Sequence, residues 1–483
     1  MKWGYIWIVV FISPYIYLFG KIDELSFPPV NELISVLVQT CQQSALSGFF
    51  AVALGLLGGL GLLAWPENGK FRTLRSVITL PNFVPSLFIT LSMIYLLESL
   101  WAFPFGMRGV VLIHFCMNVG LCSVVIEKLI RHRVGGMWEL AKVEGCSPTR
   151  FIPAGVLGVL KHDLLSLFLF VFSVCASSFT VPLLAGDLRP LSLSVYMFNK
   201  LRLEGDWGQA LVIAMLESVL LFVFYKQKLS SALTNQQNGQ FAQVRELAIP
   251  RIAWIFMALS LFVLFGDVGG WYVGWTQLAA DPLLLGKAFF ASMNSLVMGL
   301  AAGLSVLIVF LIVSGFSLSP LTIRFFSLYN SPSPVFLGFV LLLILPASFP
   351  KLMVTSLALA FLFFPTIFRM YGRSLVVPLL RQVEVARVMG ASRATILRQI
   401  IWPQIVERLC WLCGVAGFWA AGDFALSRVL IGEDKTLSLL IETLMGAYRL
   451  DMASVLSILM LAVGLLCFFI FQGVGRVISK KFV

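Results

Sequence analysis

The chain has 483 residues, of which 59% are hydrophobic and only 12% charged, with a mean hydropathy of +0.95 and a formal charge of +12. A water-soluble domain carries about a quarter charged residues, so the composition excludes a soluble globule and defines a polytopic membrane protein. The positive charge would also suit a nucleic-acid binder, but the Lys and Arg residues cluster in loops between apolar runs, as the positive-inside rule requires, and no nucleic-acid partner is expected.

Runs of at least about 18 apolar residues mark candidate spans, because a helix rising 1.5 Å per residue must cross roughly 30 Å of hydrocarbon while satisfying its own backbone. The first run lies near 4–20. It resembles a secretory signal, with Lys2 ahead of an apolar stretch, but no small-x-small cleavage site follows, and an uncleaved first span is expected. Further runs lie near 46–64, 76–97, 107–126, 160–185 and 207–226. Lys70, Arg72 and Arg75 follow the second; Lys128, Arg131, Arg133, Lys142 and Arg150 follow the fourth. Residues 227–250, with Asn235-Gln-Gln-Asn-Gly239, are polar and aperiodic and read as a cytoplasmic linker. Six more runs lie near 251–267, 288–314, 331–348, 352–375, 405–430 and 452–475, with Arg373, Arg381, Arg387, Arg393 and Arg398 after the tenth. This charge pattern predicts that both termini and the linker lie in the cytoplasm.

The first six starts shifted by 245 land near the second six. The expected fold is therefore all-α, with about twelve transmembrane helices in two parallel six-helix repeats, residues 1–226 and 251–483. Pro14, Pro81, Pro85, Pro334 and Pro346 are expected to kink helices.

A short motif follows the same offset. Glu139-Leu-Ala-Lys-Val-Glu-Gly145-Cys-Ser147 recurs as Glu384-Val-Ala-Arg-Val-Met-Gly390-Ala-Ser392. Before each glycine the residues are good helix formers with an apolar side. Gly145 and Gly390 suit a left-handed helix terminus, and Ser147 and Ser392 are placed to cap a second helix, with Pro148 acceptable at its first position. Two short helices joined by a sharp bend are predicted on the cytoplasmic face. Small Ala141 and Ala386 would admit close approach to a partner groove, and Glu139 and Glu384 supply a fixed charge for it. A basic helix that only lies on lipid is the plainer reading of one copy; two copies at matching positions favour docking of a symmetric partner.

The motif resembles the EAA loop of binding-protein-dependent ABC importer permeases. Glu384, Ala386, Gly390, Ile400 and Pro403 stand at the family's spacings, with Val385 and Trp402 as departures. The first copy keeps Glu139, Ala141, Gly145 and Leu157 but has Gly155 and Gly158 at the Ile and Pro positions. Span order and double length resemble the fused iron(III) and thiamine permeases. That resemblance implies two copies of a cytoplasmic P-loop ATPase on the elbows, an extracytoplasmic binding protein that delivers solute, and a bacterial inner-membrane location. ATP and Mg would sit on the ATPase. This chain has no GxxxxGK[ST] motif and is expected to hold no cofactor.

Other chemistry is thin. Cys410-Trp-Leu-Cys413 is a lone CxxC inside an apolar run and reads as packing; His114, His132 and His162 suggest no ligand set, so neither a metal nor a catalytic site is expected. Asp423 and Glu217 lie in apolar runs and are pathway candidates, since a charge at the bilayer centre costs on the order of 3 kcal/mol. For Asp423 the favoured reading is a helix-end residue near Arg428. Asp206 and Asp451 correspond just before the sixth span of each repeat. A twelve-span secondary transporter and a non-transporting scaffold are the alternatives. Uptake that requires ATP and a co-expressed ATPase separates the importer from both.

Overall fold

The computed structural model describes residues 13–17, 19–20, 26–66, 69–187, 190–225, 244–316, 322–323, 325–326, 333–346, 348–432 and 434–481. Most of the first expected span and of the linker lies outside them. The described residues form helices and the turns that join them, without strands. In chain order the main helices are α1 Val30–Leu62, α2 Gly69–Phe83, α3 Ser86–Leu100, α4 Met107–Leu129, α5 Gly135–Val143, α6 Gly158–Ala176, α7 Thr180–Ala185 and α8 Trp207–Tyr225. They continue with α9 Pro250–Leu264, α10 Val268–Ala280, α11 Pro282–Phe316, α12 Pro334–Ile344, α13 Lys351–Ile367, α14 Leu380–Val388, α15 Trp402–Ala421, α16 Ala425–Leu430, α17 Leu437–Gly446 and α18 Leu450–Ser479.

Among the described residues six helical stretches are long and apolar enough to cross a membrane, with shorter apolar helices beside them. The protein is a polytopic all-α membrane protein. The 245-residue offset survives at the level of single elements: α5 maps onto α14 and α7 onto α16, end for end.

Three expected spans are interrupted. The run near 76–97 becomes α2 and α3, bent by 93° at their junction. Pro85 caps the start of α3 and, with Pro81 inside α2, removes backbone donors that a continuous helix would need. The fifth span of each repeat also breaks, between α6 and α7 and between α15 and α16. Pro334 opens α12 at its first turn and Pro346 follows its end, so these prolines bound helices instead of kinking them.

The chain forms two compact units. One comprises residues 29–196 and 219–269; the other comprises the described parts of 1–28, 197–218 and 270–483. The first unit includes α9, which precedes the rest of the second repeat in sequence. Ser92 Oγ donates to the Val263 carbonyl at 2.7 Å and Ser260 Oγ to the Ile78 carbonyl at 3.2 Å, and the Trp65 and Trp254 rings meet edge-on at 5.3 Å. Between α2 and α4 the backbones nearly touch: a Cβ on Gly120 would lie 1.9 Å from the Ile78 carbonyl oxygen. In the second unit α11 and α15 meet glycine to glycine, at Gly299 and Gly417. Such small-residue contacts are how helices associate where hydrocarbon removes the hydrophobic drive.

Candidate coupling elbows

Each elbow is built by its backbone. In the first, α5 ends in a Schellman turn: Gly145 N–H donates to the Lys142 carbonyl at 3.0 Å and Cys146 N–H to the Ala141 carbonyl at 2.9 Å, with Gly145 at φ +76°. In the second, Gly390 N–H donates to Arg387 and Ala391 N–H to Ala386, both at 3.0 Å, with Gly390 at φ +81°. Nothing lies within 4 Å of a Cβ built on either glycine, so the left-handed conformation alone demands glycine there.

The capping serines differ. Ser392 Oγ accepts the Thr395 N–H at 3.2 Å and caps the next turn. Ser147 does not: its hydroxyl meets that of Thr149 at 3.2 Å, while the Arg150 N–H turns to the Ser147 carbonyl. Both second helices continue through a widened turn into α6 or α15. Gly158 and Pro403 both fall just past the widened turn, at the starts of α6 and α15, where the backbone stays helical. The Phe151 ring fills the space that a side chain at Gly155 would take.

The outward faces match. Val143 is 88% and Val388 89% exposed, flanked by exposed Leu140 and by exposed Val385 and Met389. Glu139 and Glu384 are exposed beside them. Ala386 is buried and Ala141 half-buried against their own units, which corrects the expectation that these small residues face a partner groove. Their size instead lets each elbow helix lie close to its own core. Trp138 and Val383 anchor the same inward faces. The first elbow carries an added strap. Val244 and Leu247 are buried with Trp138 and Phe151, and Glu246 pairs with Lys142.

Above the first elbow lies an ionic cluster that no local sequence signal announces. Glu127 is 1% exposed and receives the Arg75 guanidinium on both oxygens, at 2.6 and 2.8 Å, and Arg131 Nε at 2.9 Å. The two arginines also donate to the carbonyls of Leu63, Trp65 and Pro66, at 2.8 to 3.2 Å, at the C-terminal end of α1. Cations suit that end of a helix, where unpaired carbonyls gather. Arg133 pairs with buried Asp163 at 2.8 Å. Deeper in the same unit Gln43, His114, Asn118 and Asn82 form a buried polar chain: Gln43 Nε2 donates to the Cys175 carbonyl, and Asn82 Nδ2 to Asn118 Oδ1 at 2.9 Å.

The pathway candidates stand apart from the elbows. Asp423 accepts the Leu426 and Ser427 N–H groups at 3.1 and 3.0 Å and the Ser427 hydroxyl at 3.2 Å, so it serves as the N-terminal cap of α16. Arg428 pairs with Glu442 at 2.9 Å and not with Asp423. Glu217 is buried within α8, next to Ser218, whose hydroxyl meets that of Tyr15. Asp206 caps the start of α8, accepting from Ser26 Oγ at 2.6 Å and the Gln209 N–H at 2.9 Å. Burial pushes its carboxyl up, but the hydrogen bonds from Gln209, Ser26 and Gly208 outweigh it and hold the group below the usual carboxylate range. Asp451 occupies the first turn of α18.

Fold and elbows together define a polytopic, all-helical membrane protein with an internal repeat and a paired exposed elbow motif. Known proteins of this kind are similar to it. The chain is 24% identical over 212 residues to the thiamine transport system permease protein of Haemophilus influenzae, covering 41% of this chain and 39% of that protein. It is 26% identical over 137 residues to the corresponding Escherichia coli protein, covering 28% and 26%. A probable ABC transporter permease protein of Sinorhizobium fredii is 40% identical over 79 residues, covering 16% and 14%. The matched stretches thus span well under two thirds of these relatives. No family model matches the chain, and no solved structure matches it. The resemblance to fused ABC importer permeases read from the motif is borne out by these relatives.

Proposed function

We propose that the chain is the membrane-spanning permease of a binding-protein-dependent ABC importer, residing in the bacterial inner membrane with both termini in the cytoplasm. The observation that carries this reading is the pair of elbows, 245 residues apart, with the same Schellman turn and the same exposed valine. Two copies of a P-loop ATPase dock on them and bind ATP and Mg. Glu139 and Glu384 offer each docking groove a carboxylate. Gly145 and Gly390 fix the bend, Ala141 and Ala386 seat the elbow on its unit, and Pro403 starts the helix that carries movement into the membrane. Closing of the ATPase dimer draws the elbows together and rocks the repeats between inward-open and outward-open states. A binding protein delivers the small solute from the other side, and Asp423 and Glu217 are candidates for contact with its path. Thiamine, named for two of the relatives, is the first solute to test.

The test is uptake in cells that express the chain with a candidate ATPase and binding protein. Gly390→Trp is expected to insert normally, since the elbow lies outside the apolar spans, but to strain the left-handed turn and lose ATP-dependent uptake. Normal uptake by that variant at wild-type abundance would overturn the coupling role. Uptake independent of the ATPase would return the secondary-transporter reading, and no uptake with an intact complex the scaffold.

A further inference from the structure

The outer faces of α1 and α4 enclose an apolar groove of about 380 Å³, lined by Leu46, Phe50 and Leu54 from one helix and Val111 and Phe115 from the other. One charged residue, Arg108, stands on its wall. α4 has 23 residues and a length of roughly 35 Å, and it runs from Arg108 at one end toward the first elbow at the other. Arg108 therefore lies at the membrane face opposite the elbow. Trp101, 77% exposed, and exposed Phe105 precede α4, as aromatic side chains do at the level of lipid headgroups. Among the described residues no carboxylate lies within ion-pair distance of the Arg108 guanidinium.

From this placement we infer that the groove is a binding site for an anionic phospholipid of the leaflet opposite the elbows, with an acyl chain between α1 and α4 and the phosphate on Arg108. Both ends of the ligand are matched: hydrocarbon meets Leu, Phe and Val, and the negative headgroup meets the cation on the groove wall. The repeat supplies an internal control. At the corresponding positions of α11 and α13, Ala291, Ser295 and Gly299 replace Leu46, Phe50 and Leu54, Met353 replaces Arg108 and Ala360 replaces Phe115. At these positions the second repeat has neither the bulky walls nor the charge; its nearest cation, Lys351, opens α13 two residues earlier, beside a helix face of small residues.

The experiment is native mass spectrometry of the purified full-length chain in mild detergent, titrated with phosphatidylglycerol or phosphatidylcholine of identical acyl chains. One phosphatidylglycerol should be held about fivefold more tightly than phosphatidylcholine, the ratio one arginine near an anionic surface supplies. Arg108→Gln, an exposed and conservative change, should abolish that preference while the chain still binds lipid. Val111→Trp should displace both lipids by filling the groove. Equal retention of the two lipids by the unaltered chain, or undiminished preference in Arg108→Gln, would overturn the site. Recovery of a stoichiometric single-span protein in place of lipid, lost in Val111→Trp, would overturn it in favour of a protein occupant.

Discussion

The two repeats solve one packing problem with opposite chemistry. In the first, the region above the elbow is held by Glu127 between Arg75 and Arg131, with both arginines on the carbonyls that end α1. In the second, Gly372 and Val376 stand where Glu127 and Arg131 would be, and Phe310, Phe326, Phe364 and Phe368 fill the volume. Their rings lie 5.0 to 6.3 Å apart in edge and tilted contacts. A Cβ on Gly372 would meet Phe310 and Phe368 at 3.0 Å, so the rings occupy the space that a glutamate would need. One backbone architecture thus tolerates an ionic or an aromatic root, provided that each is complete.

The comparison breaks most severely when the ionic root loses one member. Glu127→Leu removes the carboxylate shared by buried Arg131 and half-buried Arg75, a change that costs about 3–5 kcal/mol. The unfolding midpoint should fall steeply, read by a thiol-reactive dye as buried Cys116, Cys122 and Cys175 become accessible. Phe364→Ala, in the other root, opens a cavity among rings that cannot all collapse, at about 3 kcal/mol by the same assay. Replacing Arg75, Glu127 and Arg131 together by Met, Leu and Met should recover most of the loss of Glu127→Leu, because complete apolar substitution of a buried ion cluster is commonly neutral. A triple variant no better than the single one would mean that the arginines matter chiefly as caps of α1.

The smallest effect is expected at Asp206. Its carboxyl is held below its ordinary value of 3.8, so its stabilising contribution is present above that pH and is lost as the pH falls through the folded-state value. The midpoint difference between the unaltered chain and Asp206→Asn should be constant near neutrality and shrink below about pH 4. A difference that grows on acidification would show that the hydrogen bonds do not control this carboxyl.

Local rules made the elbows legible. A helix-forming stretch ending at Gly145 or Gly390 needs one left-handed residue, and both glycines have it. The repeat was equally plain, because hydropathy and motif share one offset. What hydropathy cannot resolve is a break inside an apolar run, as at Ser177–Phe179 and Gly422–Phe424, since a window average stays high across it. Nor does it distinguish loop charges from core charges. Arg75 and Arg131 look like ordinary positive-inside residues, yet both are packed against Glu127, and Arg75 lies 52 positions from it in sequence. The outward turn of Leu140 and Val143, with Ala141 inward, depends on how the elbow sits on its unit, which no periodicity fixes.

The covalent repeat carries an evolutionary consequence. In an assembly of two identical chains every codon change appears twice, and a mutation that favours one side is imposed on the other. Here each copy drifts on its own. An arginine can be acquired at position 108 while its counterpart at 353 stays methionine, and one root can become charged while the other becomes aromatic. Joining the two repeats in one chain therefore lets its two sides answer separately to selection.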